Sequence, residues 1–165
     1  MILDEIKNRR SVREYQTKDV DDVLINEIIK AGQFAPTAMN NRAVEFVVIR
    51  KQETKDKIFK ICGQEFIKKA PVLIIPATDT SKTNCPVRDL SVASENMFLQ
   101  ATSLGLGTVW KNVSIPSQKE ELKKLLGIPN RFKIVNIIPV GYPESESPPH
   151  TKQDFSKDKI HWNEW

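Results

Sequence analysis

The chain has 165 residues, enough for one domain with its own hydrophobic core. Hydrophobic residues make up 39% and charged residues 28%, and the net charge of +4 is mild, with scattered lysines and no basic-aromatic tract; nucleic acid is not expected as a partner, while a phosphate-bearing ligand is compatible. The longest apolar runs, Phe46–Ile49 and Val72–Ala77, are too short to span a bilayer and the N-terminus lacks the n- and h-regions of a secretion signal, so a cytoplasmic location without membrane contact is expected.

Leu3 and Ile6 start a short helix that ends near Asn8–Arg10. Residues 21–34 read as a second helix, with Leu24/Ile28 and Ile25/Ile29 as its apolar face and Pro36 as its stop. Phe46-Val47-Val48-Ile49 is a β-branched strand, and residues 55–63 a helix turning Ile58, Phe59 and Cys62 inward. Val72-Leu73-Ile74-Ile75 is a second, buried strand. A polar loop covers 79–86. Leu90, Ala93, Met97, Ala101 and Leu104 then recur at helical spacing and predict a long, mostly buried helix that Gly105 ends at C′. Residues 107–111 form a third strand. Ser117-Gln118-Lys119-Glu120 is a capping box opening a helix that Gly127 closes, and residues 133–141 form a fourth strand. Irregular alternation of helices and strands, with no internal repeat, gives an α+β class with a mixed central sheet in a single domain.

Residues 142–165 differ. They combine Pro148, Pro149 and many charges with Phe155, Ile160, Trp162 and Trp165, more aromatic surface than a disordered tail carries. Such an arm either folds back on its own domain or embraces a second subunit. The two cysteines, Cys62 and Cys85, read as reduced thiols, with no His partners spaced for a metal.

Several stretches have the chemistry of a ligand site. Arg9-Arg10-Ser11-Val12-Arg13 offers guanidinium forks and a hydroxyl suited to a phosphate; the bland alternative is cations solvated at a helix C-terminus. The loop Ala35-Pro36-Thr37-Ala38-Met39-Asn40-Asn41-Arg42 has small residues that admit a flat ring and an Asn amide able to donate and accept, or is simply a helix stop and turn. Gly105-Leu106-Gly107 reads as a helix C-cap, with Gly107 positioned for close approach of a ligand to backbone. No GxSxG, P-loop or HExxH occurs, and His150 and His161, the only histidines, lie in the tail. Anion-binding groups and a flat-ligand site without an acid, base or nucleophile point to chemistry carried by a cofactor.

In order along the chain, Arg9-Arg10-Ser11-Val12-Arg13, the loop from Ala35 to Asn40, Gly105-Leu106-Gly107-Thr108-x-Trp110, Pro139-x-Gly141-Tyr142-Pro143 and the closing His161-Trp162-Asn163-x-Trp165 resemble the nitroreductase family. The resemblance implies a nitroreductase-like fold, a homodimer with FMN at each of two interface sites, a C-terminal arm extended onto the partner, and two-electron ping-pong transfer from NADH or NADPH to a nitroaromatic, quinone or related acceptor. By position it assigns Arg9, Arg10, Ser11 and Arg13 to the FMN phosphate and ribityl chain, and Pro36, Thr37, Ala38 and Asn40 to the isoalloxazine from the partner subunit. Leu106 and Gly107 would line the flavin's other side, and Lys152 would correspond to a tail cation at the phosphate. It assigns no catalytic side chain and no metal, and leaves open which group supplies positive charge beside the flavin's N1 and O2. The chain departs from the family pattern where Gln-Pro-Trp usually follows the Asn: here Arg42-Ala43-Val44 stands, with consequences for the acceptor pocket. Two other readings remain at this stage, a flavin-binding or sensing module without turnover, and an interaction protein whose Arg9–Arg13 stretch meets a phosphorylated partner.

Overall fold

A computed structural model describes residues 1–165. The elements in chain order are α1 (Asp4–Asn8), α2 (Asp22–Gln33), β1 (Val44–Ile49), α3 (Gln52–Cys62), α4 (Phe66–Lys69), β2 (Val72–Asp79), α5 (Pro86–Ser103), β3 (Gly107–Thr108), β4 (Lys111–Asn112), α6 (Pro116–Leu126), β5 (Phe132–Ile134) and β6 (Asn136–Gly141), with 3-10 turns at Ala38–Asn40, Lys152–Asp154 and Lys157–Lys159.

Strand β2 is the hub. It pairs antiparallel with all of β1 through Leu73–Thr78, with β6 through Val72–Ile74 and with β5 through Ala77–Asp79. All strand pairs are antiparallel, so the sheet is mixed only through the parallel bridge between Ser11 and Thr108. Every residue of β2 is buried, because helices cover both faces of the sheet. Alternation along the strand divides the core. Leu73 and Ile75 face α3, α4 and α6 with Ile58, Ile67 and Leu122, whereas Val72 and Ile74 face α2 and α5 with Ile28, Met97 and Ala101. Each such side chain removed from water contributes roughly 1.5–3 kcal/mol.

The long expected fourth strand is divided into β5 and β6. Ile74 pairs with Ile138 and Ala77 with Ile134, so two residues of β2 oppose three of the β5–β6 segment. This is a bulge, placed where Pro76 has no N–H for the ladder. The expected strand over 107–111 is divided for a similar reason: β3 and β4 pair with β6 in one register, and the gap falls opposite Pro139, which again lacks a donor. The capping box expected at Ser117–Glu120 does not form. Pro116 takes the first helical position with Ile115 as N-cap, so α6 begins earlier and Ser117 lies inside it. Gly105 does occupy the left-handed position after α5, with φ of 71°.

Helices α2 and α5 cross closely. A Cβ on Gly32 would lie 2.9 Å from Met97 Cγ, and Asn96 Nδ2 donates to Ala31 O at 3.2 Å. The arm leaves the sheet beside Tyr15, whose hydroxyl donates to Val12 O at 2.7 Å and whose phenol burial pushes well above its usual pKa. It is tied back at Glu144 N–H to Glu14 O, 3.1 Å, and at His150 N–H to Lys7 O, 2.8 Å. Beyond His150 it leaves its own domain uncovered. Phe155 is 62%, Trp162 82% and Trp165 101% exposed. No helix is long and apolar enough to cross a membrane.

Candidate functional site

The loop between α2 and β1 is held by bonds that the local sequence supplies. Asp89, buried in the first turn of α5, accepts from Ala38 N–H at 2.9 Å and from the Thr83 hydroxyl at 2.7 Å. Thr37 Oγ1 accepts from Arg42 N–H at 3.1 Å, and Asn41 bonds Ala38 O and Ala43 N–H through its amide. These contacts keep Met39, Asn40 and Arg42 at φ of 54°, 53° and 51°, in the left-handed region that non-glycine residues adopt at a cost of about 1–2 kcal/mol each. Backbone strain held this way is concentrated at functional loops. The result is a cleft of about 580 Å³ lined by Phe34, Pro36, Thr37, Asn40, Arg42 and Val44 among others. Ala38 and Met39 border a smaller adjoining hollow with the turn at Thr80–Asn84.

A second cleft of about 580 Å³ opens at the other end of α5, where Arg10, Thr102, Leu106, Gly107, Tyr142 and Glu144 meet. Of the arginine cluster only Arg10 lines it. Arg9 turns toward α5, its Nε 4.0 Å from Glu95 Oε1, and Arg13 Nη1 lies 3.5 Å from its neighbour Ser11 O. Ser11 bridges to Thr108, and Val12 N–H donates to Thr108 O at 2.9 Å, which fixes this segment along β3. Gly107 is required for that seating: a Cβ there would stand 2.6 Å from Val12 Cγ2. The close approach expected of a ligand at Gly107 is thus made first by the chain's own Val12, although Gly107 and Leu106 still border the cleft.

Arg10 Nη1 stands 3.0 Å from Nε2 and 3.2 Å from Nδ1 of His150. Arginine can only donate, so a neutral His150 accepts through one ring nitrogen, Nε2 being the nearer, which leaves Nδ1–H for Asp154. On the other side His150 Nδ1 is 3.5 Å from Asp154 Oδ2, and the Thr151 N–H, with His150 beside it, holds the Asp154 carboxyl below its usual range. Lys152 lies on the exposed 3-10 turn just beyond, outside the cleft lining.

The structure therefore joins Arg10 with Leu106 and Gly107, and separately joins Pro36, Thr37 and Asn40. It does not bring the two groups together in one chain. Ala38 is anchored at Asp89 and the arginine cleft reaches α5 at Thr102, thirteen residues along the helix, or roughly 20 Å at 1.5 Å per residue. Asp89 escaped the sequence reading, standing in an amphipathic helix pattern where a carboxylate reads as surface; His150 was in view as a tail residue, but its contact with Arg10, 140 residues away, was not.

The family model for the nitroreductase family matches residues 6–69 and 59–142. This chain belongs to the nitroreductase family. Among members of the family, a protein of Methanothermobacter thermautotrophicus, provisionally named an NADH dehydrogenase/NAD(P)H nitroreductase, is 38% identical over 99% of this chain and 87% of its own length. The FMN reductase [NAD(P)H] of Bacillus subtilis is 26% identical over 88% of this chain and 67% of its own. The solved structure of an FMN-dependent nitroreductase from Clostridium difficile superposes with a TM-score of 0.93 at 28% identity, covering 99% of this chain and all of the other. The nitroreductase fold expected from the motifs is the fold observed.

Proposed function

We propose that this chain is an FMN-dependent NAD(P)H oxidoreductase, working as a homodimer that holds FMN between its two copies and passes two electrons, in ping-pong fashion, to a nitroaromatic, quinone or related acceptor. The observation that carries the dimeric reading is the separation of the two clefts by about 20 Å along α5. A two-fold axis across α5 brings the arginine cleft of one copy to the Pro36–Asn40 cleft of the other, and does so twice. The surface for that contact is present: Ile2 and Leu3 before α1, Ile6 on it, and Val87 and Val92 on α5, are exposed. The arm's Phe155, Trp162 and Trp165 find no cover on their own domain.

The residues suit FMN. Arg10 offers a guanidinium fork to the phosphate at a cleft that Gly105, Leu106 and Gly107 also line; Arg9, Ser11, Arg13 and Lys152, outside the lining in the single copy, are proposed to reach the phosphate and ribityl chain once FMN is bound. Pro36, Thr37 and Asn40 form a small-residue ledge for a flat ring, with Ala38 at the adjoining hollow and the Asn40 amide able to hydrogen-bond the ring's polar edge. FMN supplies the two-electron relay between nicotinamide and acceptor. The chain's part is to orient the ring along the ledge and leave room in the cleft for a second ring to stack on it, since hydride transfer needs reacting atoms held at about 3–3.5 Å.

The purified protein should be yellow and should bleach when NADPH or NADH is added without oxygen. A colourless protein that takes up no FMN overturns the proposal, and a yellow one that oxidises no NAD(P)H with menadione or a nitrofuran leaves a flavin-binding module. Truncation after Pro143 should give flavin-free or aggregated protein by absorption and gel filtration; a stable monomer that keeps FMN refutes the shared site.

A further inference from the structure

We infer that Arg42 makes the Pro36–Asn40 cleft selective for acceptors that carry an acidic group on a flat ring, a nitrobenzoate-like anion being taken in preference to its uncharged counterpart. The inference rests on the oxidoreductase reading and adds the substrate class.

Arg42 is the only charged side chain lining its cleft. It takes part in none of the chain's ion pairs, unlike Arg50, which holds Asp19 and Asp22, or Arg131, which holds Asp79. Its one side-chain contact is Nε to Asn40 Oδ1 at 3.5 Å, which leaves the terminal nitrogens of the guanidinium unengaged. Nor is its place accidental. The backbone sits in the left-handed region at φ 51°, and the Thr37 hydroxyl accepts its N–H, so the loop spends conformational energy to present this residue. Beside it Phe34 is 74% exposed and offers an uncovered aromatic face at the same cleft. A planar, donor-only fork without a counter-ion, next to an apolar face, matches a ring that bears a carboxylate or sulfonate. The family's usual Gln-Pro-Trp has no cation at this position. In one turnover the nitro group of such an acceptor takes two electrons and two protons, losing water to become a nitroso group, while NAD(P)H becomes NAD(P)+.

The test uses the flavin-loaded protein with 4-nitrobenzoate and its neutral isostere 4-nitrobenzamide at low salt. The wild type should favour the benzoate by about fivefold in kcat/KM, the size of a solvent-facing ion pair, and the preference should shrink in about 1 M salt. In Arg42→Gln the ratio should fall toward one, and Arg42→Lys should keep part of it. Unreactive benzoate, titrated by the change it makes in the flavin absorption band, should lose affinity by the same factor in Arg42→Gln, with flavin content kept. Equal rates for the two acceptors in a wild type that reduces menadione overturn this inference alone; a protein without flavin or without any turnover overturns the reading beneath it. The extra phosphate of NADPH is the other anion that an unpaired guanidinium could take. An Arg42→Gln protein whose NADPH-to-NADH ratio changes while its benzoate preference stands, or one that sheds its flavin, also refutes the assignment.

Discussion

The two clefts are alike in size and opposite in construction. The Pro36–Asn40 cleft is made almost wholly by one stretch, residues 32–44, whose bends are fixed by bonds within the stretch and by a single buried carboxylate from outside, Asp89. The arginine cleft is assembled from residues 8–16, the end of α5 and the start of the arm, and no short segment of it has the shape alone. A locally built ledge tolerates changes elsewhere in the sheet. An assembled cleft depends on Val12 seating against Gly107 and on the arm returning to Lys7 and Glu14.

Three changes sharpen this contrast. The largest effect is expected for Arg10→Ala, which removes the only cation lining the arginine cleft and should weaken FMN binding about 50-fold, near 2.3 kcal/mol, by fluorescence titration, while riboflavin, lacking the phosphate, is affected far less. An equal loss for both ligands would make Arg10 a structural residue. Next, Asp89→Ala strips Ala38 N–H and the Thr83 hydroxyl of their acceptor and should cost about 2 kcal/mol in urea unfolding, with the ledge loosened. If unfolding is unchanged, the loop holds itself without α5. The smallest effect concerns the strand end that adjoins the ledge, where Asp79 N–H donates to Ala43 O at 3.2 Å. The Ser81 hydroxyl and N–H, with Arg131, hold the Asp79 carboxyl down to about 2 from 3.8. A lowered carboxyl stabilises the fold fully above its unfolded pKa and loses that contribution as pH falls through the folded one. The difference in urea midpoint between wild type and Asp79→Asn should therefore be present at pH 5 and vanish toward pH 2; a difference constant across that range removes Asp79 from the account.

How much of this was legible in the sequence follows the same division. Helix α2 was readable from its apolar spacing and its Pro36 stop, and α5 from Leu90 to Ala101, because periodicity and helix termination are local properties. The Pro36–Asn40 loop was recognisable for the same reason. The divided strands were not, although Pro76 and Pro139 were in view, because a missing donor interrupts a ladder only once the opposing strand and register are known. Asp89 looked like a helix surface residue until the loop closed over it.

By itself, then, the sequence determined most of the helices, the buried strands and the family to which they belong, since each is written in neighbouring residues. Tertiary structure decided which of four nearby cationic and hydroxyl groups faces a cleft, that His150 meets Arg10 across 140 residues, and that the two clefts lie at opposite ends of one helix. Those are distances between remote segments, and they are set by how the sheet and α5 pack rather than by any local pattern.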